Sequence, residues 1–479
     1  MGCPITEKVL ACFKEIAAVP RRSKSEEKIR AWLLDWAKKH NLEAKTDEVG
    51  NVLIEVPATS GYENSPILIL QGHMDMVCEK NHDSKHDFTK DPIEVIEDGE
   101  WLRANGTTLG ADNGIGVALG LVFALEPEHP ALELLFTVDE ETGLTGAQSL
   151  KPGFLKGKIL LNCDSEDEGV FTVGCAGGID THITIPMTKI AAPAGFKAYR
   201  LQVSGLCGGH SGTDINCQRA NAIRVLARAL RQVDSVGDFM IADIHSGSAH
   251  NAIPRDGYAV VLMEEKTAEK SQELLKTLDD QLSDEYKNTD PNLEISLVAT
   301  EAVAEAMSVD DTKKLIYFLH AIPHGVDSMS TDITTLVETS NNLAVIKIVD
   351  NKIEIITSQR SSVMSRLRAL TDRIETIAHL AGFDVKSGSG YPSWQPNMAS
   401  PLLDKCKKVY EEVMEKEPVV EVIHAGLECG LIGGQYPGMD MISFGPTIKS
   451  PHSPDEKMNI PSLEKVCKFM VALLKSYKA

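Results

Sequence analysis

Short apolar runs that break off abruptly into polar or acidic residues dominate the first third of the chain. Asn51–Val56, Pro66–Leu70, Leu132–Val138 and Lys158–Asn162 read as strands, rich in aliphatic residues and bounded by turn formers. Between them lie helical patterns. Glu26–Lys39 repeats Ile29, Trp32, Leu33 and Trp36 at helical spacing, and Ile115–Leu125 is apolar throughout. Ser23 with Glu26 three residues on predicts a capping box for the first of these helices. From about Ile185 to Tyr391 the pattern changes. Strands Lys197–Val203 and Tyr258–Glu264 border helices Asn221–Val233 and Thr267–Tyr286. A second set follows: Leu293–Val298, helix Asp310–Leu319, Leu343–Ile348, Ile353–Ser358 and helix Ser362–Leu380. This stretch reads as an inserted α+β domain over 186–394. The α/β style returns with helix Pro401–Lys416, strand Met441–Phe444 and helix Ser462–Leu474, so 1–185 and 395–479 read as two parts of one α/β domain.

The chemistry sits where the apolar runs end. Pro66–Leu70 leads into Gly72-His73-Met74-Asp75; residues i and i+2 of an extended chain share a side, so Asp75 lies beside the His73 imidazole. A carboxylate in that position orients a metal-bound histidine. Leu132–Val138 ends in Asp139-Glu140-Glu141-Thr142-Gly143, and Lys158–Asn162 ends in Cys163-Asp164. In open α/β sheets, sites form beyond the carboxyl ends of parallel strands, where these acids converge. Gly106-Thr107-Thr108-Leu109-Gly110-Ala111-Asp112-Asn113-Gly114 runs straight into an apolar helix. Asp112 reads there as an N-cap, and no Lys-Ser/Thr pair follows to make a phosphate loop. His82 and His86 lie among Asn, Asp and Ser, in a loop rather than on a helix face, which argues against a metal pair. His452 stands in a proline-rich loop, Ser450-Pro451-His452-Ser453-Pro454-Asp455-Glu456.

At 479 residues the chain is long enough for two or three domains, and 43% hydrophobic content supports a large core. A formal charge of -21 argues against nucleic-acid and anionic-membrane partners and suits a cytoplasmic protein. Ten scattered cysteines without CxxC pairs read as reduced thiols. No apolar run approaches the roughly 20 residues of a bilayer span. Met1-Gly2-Cys3-Pro4-Ile5-Thr6 fits the loose myristoylation pattern, which is short enough to arise by chance and is discounted.

Taken together and in order, Gly72–Asp75, Gly110–Gly114, Asp139–Gly143, Asn162–Asp164 and Ser450–Glu456 resemble the M20 metallopeptidases, and among them the aminoacyl-histidine dipeptidases, over nearly the whole chain. The resemblance implies a mixed sheet flanked by helices, a zinc-peptidase-like catalytic domain, with the inserted α+β domain acting as a lid. It implies two Zn²⁺ ions, with Co²⁺ or Mn²⁺ as substitutes. Asp112 would bridge them, His73 and Asp164 would complete one site, and Glu141 and His452 the other. Glu140 would be the general base and Asp75 would orient His73; the Asp112–Asn113 peptide would be cis. In the lid, His210 would stabilise an oxyanion, while Asn251 and Arg360 would contact substrate; Gly426, in the C-terminal loop, would let backbone approach the substrate. The implied activity is hydrolysis of Xaa-His and other unblocked dipeptides by metal-activated water, in a homodimer formed through the lid. Imidazole and carboxylate donors suit these ions without thiolates. The competing readings are a related amidohydrolase, such as a deacylase or tripeptide aminopeptidase, and a non-catalytic binding protein. Retention of Glu140 and the five ligand positions opposes the latter.

Overall fold

A computed structural model describes residues 4–331 and 333–478. The first three residues of the discounted myristoylation pattern lie outside the described residues. The chain forms two compact units. The first holds the chain up to Cys175, Trp394–Val422 and the chain from Leu427 on; the second holds Ala176–Ser393 and Ile423–Gly426. Gly426 thus belongs to the second unit.

The first unit is built on an eight-stranded mixed sheet. Its order is Glu43–Thr46, Val52–Val56, Leu132–Thr137, Leu68–His73, Ile159–Asn162, Asp440–Ser443, Val170–Cys175, Val419–Ile423. The four strands from Leu132–Thr137 to Asp440–Ser443 run parallel. Leu68–His73 and Leu132–Thr137 are buried along their full length, as strands covered on both faces must be. Helix Ala111–Phe123 packs against Leu68–His73 and is apolar on every side because it is buried on every side. Helices Pro401–Met414 and Ile460–Lys475 start from side-chain caps, Ser400 accepting from Leu403 N–H and Asn459 from Ser462 N–H, each with proline in the first turn.

Two local expectations fail. Ser23 and Glu26 form no capping box: the helix begins at Glu27, capped by Glu26 with no side-chain bond to the helix. Ser23 Oγ donates instead to Asp75 Oδ2 at 2.8 Å, and Glu26 Oε1 accepts from Lys24 N–H at 2.7 Å and Asp139 N–H at 3.1 Å. The buried groups behind the parallel strands take these side chains, since an unpaired buried donor or acceptor is costlier than an exposed helix N–H. Nor is Asp112 an N-cap. Gly110 caps the helix with φ 70°, and the cis Asp112–Asn113 peptide carries Asp112 at non-helical angles.

The second unit centres on a nine-stranded sheet, ordered Glu294–Ala299, Phe196–Ser204, Gly257–Glu264, Phe239–Ser246, Val337–Val349, Lys352–Ser361, Gly177–Pro186, Asp384–Ser387, with Gly325–Met329 also pairing with Val337–Val349. Alternate strand residues divide between two cores. Leu201, Val203, Ile241 and Ile244 meet helices Ala222–Val236, Glu265–Glu285, Val309–Ala321 and Met364–Leu380, while Ala198, Met240 and Ala242 form a smaller cluster. Among the described residues, no helix is long and apolar enough to cross a membrane, and nine cysteines form no disulfide.

Candidate metal centre

Each acid or imidazole at the centre enters from the carboxyl end of a parallel strand or from a loop that the sheet supports. His73 closes its strand and is buried. Its Nε2 lies 3.0 Å from Asp112 Oδ1 and 3.5 Å from Asp164 Oδ1. His452, on a loop with left-handed backbone at φ 58°, lies with Nε2 3.1 Å from the other Asp112 oxygen and 3.0 Å from Glu141 Oε2. One carboxylate therefore faces two imidazoles, an oxygen to each. Two donor sets result, His73/Asp112/Asp164 and Asp112/Glu141/His452, within each of which the donor atoms lie within 4.8 Å of one another.

Asp75 lies 3.3 Å from His73 Nδ1 through Oδ1, and also accepts from Glu140 N–H at 3.1 Å and Glu141 N–H at 3.3 Å. It holds the imidazole and the acidic turn in one grip. Glu140, Glu141 and His73 also form a close group.

The electrostatics of the cluster are those of crowded acid. Burial pushes the Glu140 carboxyl well up, with Asp164, Glu428 and Glu141 adding to the push against the pull of His73. Asp164 is pushed up to about 6, by burial first and then by Asp112 and Glu141, while His73 pulls the other way. His452 is raised to about 11 by its bonds to Asp112 and Glu141. Four carboxyls (Asp112, Glu140, Glu141, Asp164) face two imidazoles, and Glu141 Oε1 and Asp164 Oδ1 are buried with no hydrogen-bond partner. Buried acid in such excess is stable only beside cations. The nitrogen and carboxylate donors suit Zn²⁺, Co²⁺ or Mn²⁺, so these residues fit a pair of divalent ions.

Behind the donors stand groups that the sequence reading left without a role. Glu428 is buried, accepting from Gln71 Nε2 at 2.6 Å and Thr137 Oγ1 at 2.8 Å, and its carboxyl is raised to about 7, by burial first. Glu456 closes the Ser450–Glu456 motif and accepts from the backbone N–H groups of Leu109, Gly110, Ala111 and Asp112. Arg21 is buried beneath the glycine-rich loop. Nothing in the local pattern around Arg21 marks it as other than a surface cation. His82 and His86 belong to neither donor set among the described residues.

In the second unit, His210, Asn251, Arg360 and Gly426 share one neighbourhood. Arg360 Nη1 donates to the Tyr391 hydroxyl at 2.9 Å, and its Nε lies 3.4 Å from Ser211 Oγ. Ser211 N–H donates to Asn251 C=O at 2.8 Å. Gly426 lies so close to Tyr391 that a Cβ would sit 3.0 Å from the ring. His210 Nδ1 accepts from the N–H groups of Gly212 at 3.3 Å and Thr213 at 3.2 Å. A backbone N–H only donates, so in the neutral ring the proton sits on Nε2, a free donor. Burial, then the Arg360 charge, lowers the His210 pKa and favours that neutral ring.

The sequence profile of peptidase family M20/M25/M40 matches residues 69–476. The chain is 39% identical over 469 residues to the cytosol non-specific dipeptidase of Escherichia coli (strain K12), covering 98% of this chain and 97% of that protein. Its structure is similar to that of aminoacylhistidine dipeptidase from Vibrio alginolyticus, at 40% identity and a TM-score of 0.89, covering 99% and 97% of the two chains. An aminopeptidase from Bacillus cereus shares the fold at 16% identity and a TM-score of 0.57, over 99% of each chain.

Proposed function

Because this chain belongs to peptidase family M20/M25/M40, we propose that it is a cytoplasmic, dinuclear metal-dependent dipeptidase cleaving Xaa-His and other unblocked dipeptides. The observation that carries the reading is the Asp112 carboxylate, with one oxygen 3.0 Å from His73 and the other 3.1 Å from His452. On this reading His73, Asp112 and Asp164 would hold one zinc ion, and Asp112, Glu141 and His452 a second. Bound divalent ions lower the pKa of water and polarise a peptide carbonyl.

The chain's own groups do the rest. Glu140, next in sequence to Glu141, takes the proton of the attacking water and passes it to the leaving nitrogen. Asp75 keeps the His73 proton on Nδ1, leaving Nε2 as a lone-pair donor. His210, its proton on Nε2, donates to the oxygen that gains charge when the carbonyl is attacked. Arg360 presents a planar fork to the free carboxylate of the substrate, which restricts the enzyme to short peptides. Asn251 adds a side-chain contact, and Gly426 lets backbone approach the substrate. The homodimer expected through the second unit belongs to this reading, and sedimentation tests it.

The deciding assay is hydrolysis of carnosine and several α-dipeptides before chelation, after it, and after added zinc, beside N-acyl amino acids and tripeptides. Dipeptide activity lost on chelation and restored by zinc supports the reading. Activity indifferent to chelator contradicts it, and preference for N-acyl amino acids or tripeptides moves the chain to another branch of the family. Glu140→Gln should retain zinc but lose about 10²–10⁴-fold in kcat.

A further inference from the structure

The loop that carries Asp112 is gripped from both sides by opposite charges. Glu456 Oε2 accepts from Leu109 N–H at 2.7 Å and Gly110 N–H at 2.9 Å; its Oε1 accepts from Ala111 N–H at 2.8 Å and Asp112 N–H at 3.3 Å. These N–H groups lie just ahead of the non-helical residues Asp112 and Asn113, before the regular part of helix Ala111–Phe123, and one carboxylate accepts from all four. On the other side Arg21 Nη2 donates to the Gly110 carbonyl, while Nη1 donates to the Asp75 carbonyl at 2.8 Å. Gly110 thus gives its N–H to an acid, while its C=O accepts from a guanidinium. Both charged side chains are withdrawn from water, Arg21 at 1% and Glu456 at 2% exposure. Gly110 has φ 70°, and a Cβ there or on Gly114 would run into Arg21 Nη2. Two glycines of the motif are therefore the space that the guanidinium occupies.

Among the described residues neither side chain hydrogen-bonds to an imidazole, yet between them they tie together three segments that carry the proposed donors. Glu456 follows His452 by four residues, Arg21 reaches the backbone of Asp75, and both hold the residues leading into Asp112. We propose that Arg21 and Glu456 are a positioning pair that fixes Leu109–Asp112, and with it the shared carboxylate, before metal arrives. The inference rests on the dinuclear reading for its consequence but not for its geometry. Burying two opposite charges is costly unless hydrogen bonds compensate; here the N–H groups of Leu109, Gly110, Ala111 and Asp112 fill the Glu456 carboxylate, and the Gly110 and Asp75 carbonyls accept from the two terminal nitrogens of Arg21, while Arg21 Nε has no partner among the described residues. The pair acts on metal affinity through preorganisation.

Hydrogen exchange of the 109–112 amides in metal-free wild-type protein tests the claim, together with zinc titration of wild type and Glu456→Gln. Slow exchange without zinc, within a few-fold of the zinc-loaded rate, is the expected result. Glu456→Gln sets an NH₂ against N–H donors, so it should accelerate those amides and weaken zinc binding about 10–100-fold. Protection that appears only with zinc overturns the proposal, because the ion would then order the loop. So does a Glu456→Gln protein with unchanged exchange and unchanged zinc affinity. If that variant does not fold, exchange in the metal-free wild type decides alone. A wild-type chain that takes up no zinc overturns the dinuclear reading instead, whatever the amides do.

Discussion

Arg360 illustrates how a side chain is readied by neighbours that are not themselves reactive. Its guanidinium donates to the Tyr391 hydroxyl at 2.9 Å and approaches Ser211 Oγ at 3.4 Å, which limits its rotamers while leaving other N–H donors for a ligand. On the proposed function, Tyr391→Phe removes the better of these restraints and leaves the charge. KM for dipeptides should rise about tenfold with kcat nearly unchanged, and a dipeptide amide lacking the carboxylate should be insensitive to the change. Steady-state kinetics on the two substrates measure this, and equal KM values for wild type and variant would contradict it. The signals differ in kind at this scale. His73, Glu140, Glu141 and Asp164 stand directly after apolar runs, so a strand-end rule finds them. Tyr391, Arg21 and Glu456 make their hydrogen bonds to residues distant in sequence, and no local pattern encodes those.

Elements were legible in proportion to how closely burial followed hydrophobicity. Leu68–His73, Leu132–Thr137 and Ile159–Asn162 read as strands because apolar runs fill most of their buried positions: Leu68, Ile69 and Leu70, then Leu134, Leu135 and Phe136, then Leu160 and Leu161. Val337–Val349 was readable only from Leu343 onward. Its first half, Glu338–Asn342, is polar yet buried. Thr357 Oγ1 donates to Asn341 Oδ1 at 2.6 Å, Gln359 Nε2 donates to the same oxygen at 2.8 Å, and Ser340 Oγ pairs with His424 Nε2 at 2.7 Å. A strand whose polar side chains satisfy one another looks like a loop in composition. Gly177–Pro186 opens on paired glycines, which weaken a strand pattern, although Ile183 and Ile185 alternate with His182 and Thr184 as a half-buried strand requires; it pairs along its length with Lys352–Ser361. Helix Pro4–Ala17 carries a readable stripe, Val9, Phe13 and Ile16, that a strand-centred reading omits.

For the molecule as a whole, the excess of acid sets the net charge, but two histidines, His424 buried and His324 partly buried, set an acid limit on the second unit. His324 and His424 are each lowered to about 3, by burial first and then by nearby cations. Unfolded, both titrate near 6.5, so below that pH the unfolded chain binds more protons and stability falls as pH drops toward 3. By pH 5 each should remove about 2 kcal/mol of stability relative to pH 7. Urea unfolding of wild type and His324→Gln at both pH values measures the contribution, since Gln can still accept from Leu343 N–H, as His324 Nδ1 does at 3.2 Å. The variant should lose less stability on acidification, and parallel losses would contradict the assignment. The central claim concerns the first unit: one carboxylate shared by two ions. Anomalous scattering at the zinc edge, from crystals of the full chain grown with zinc, tests it most directly. The account predicts two peaks, each about 2.0–2.2 Å from a different Asp112 oxygen, one beside His73 and the other beside His452; a single peak, or two that leave Asp112 uncoordinated, would contradict it.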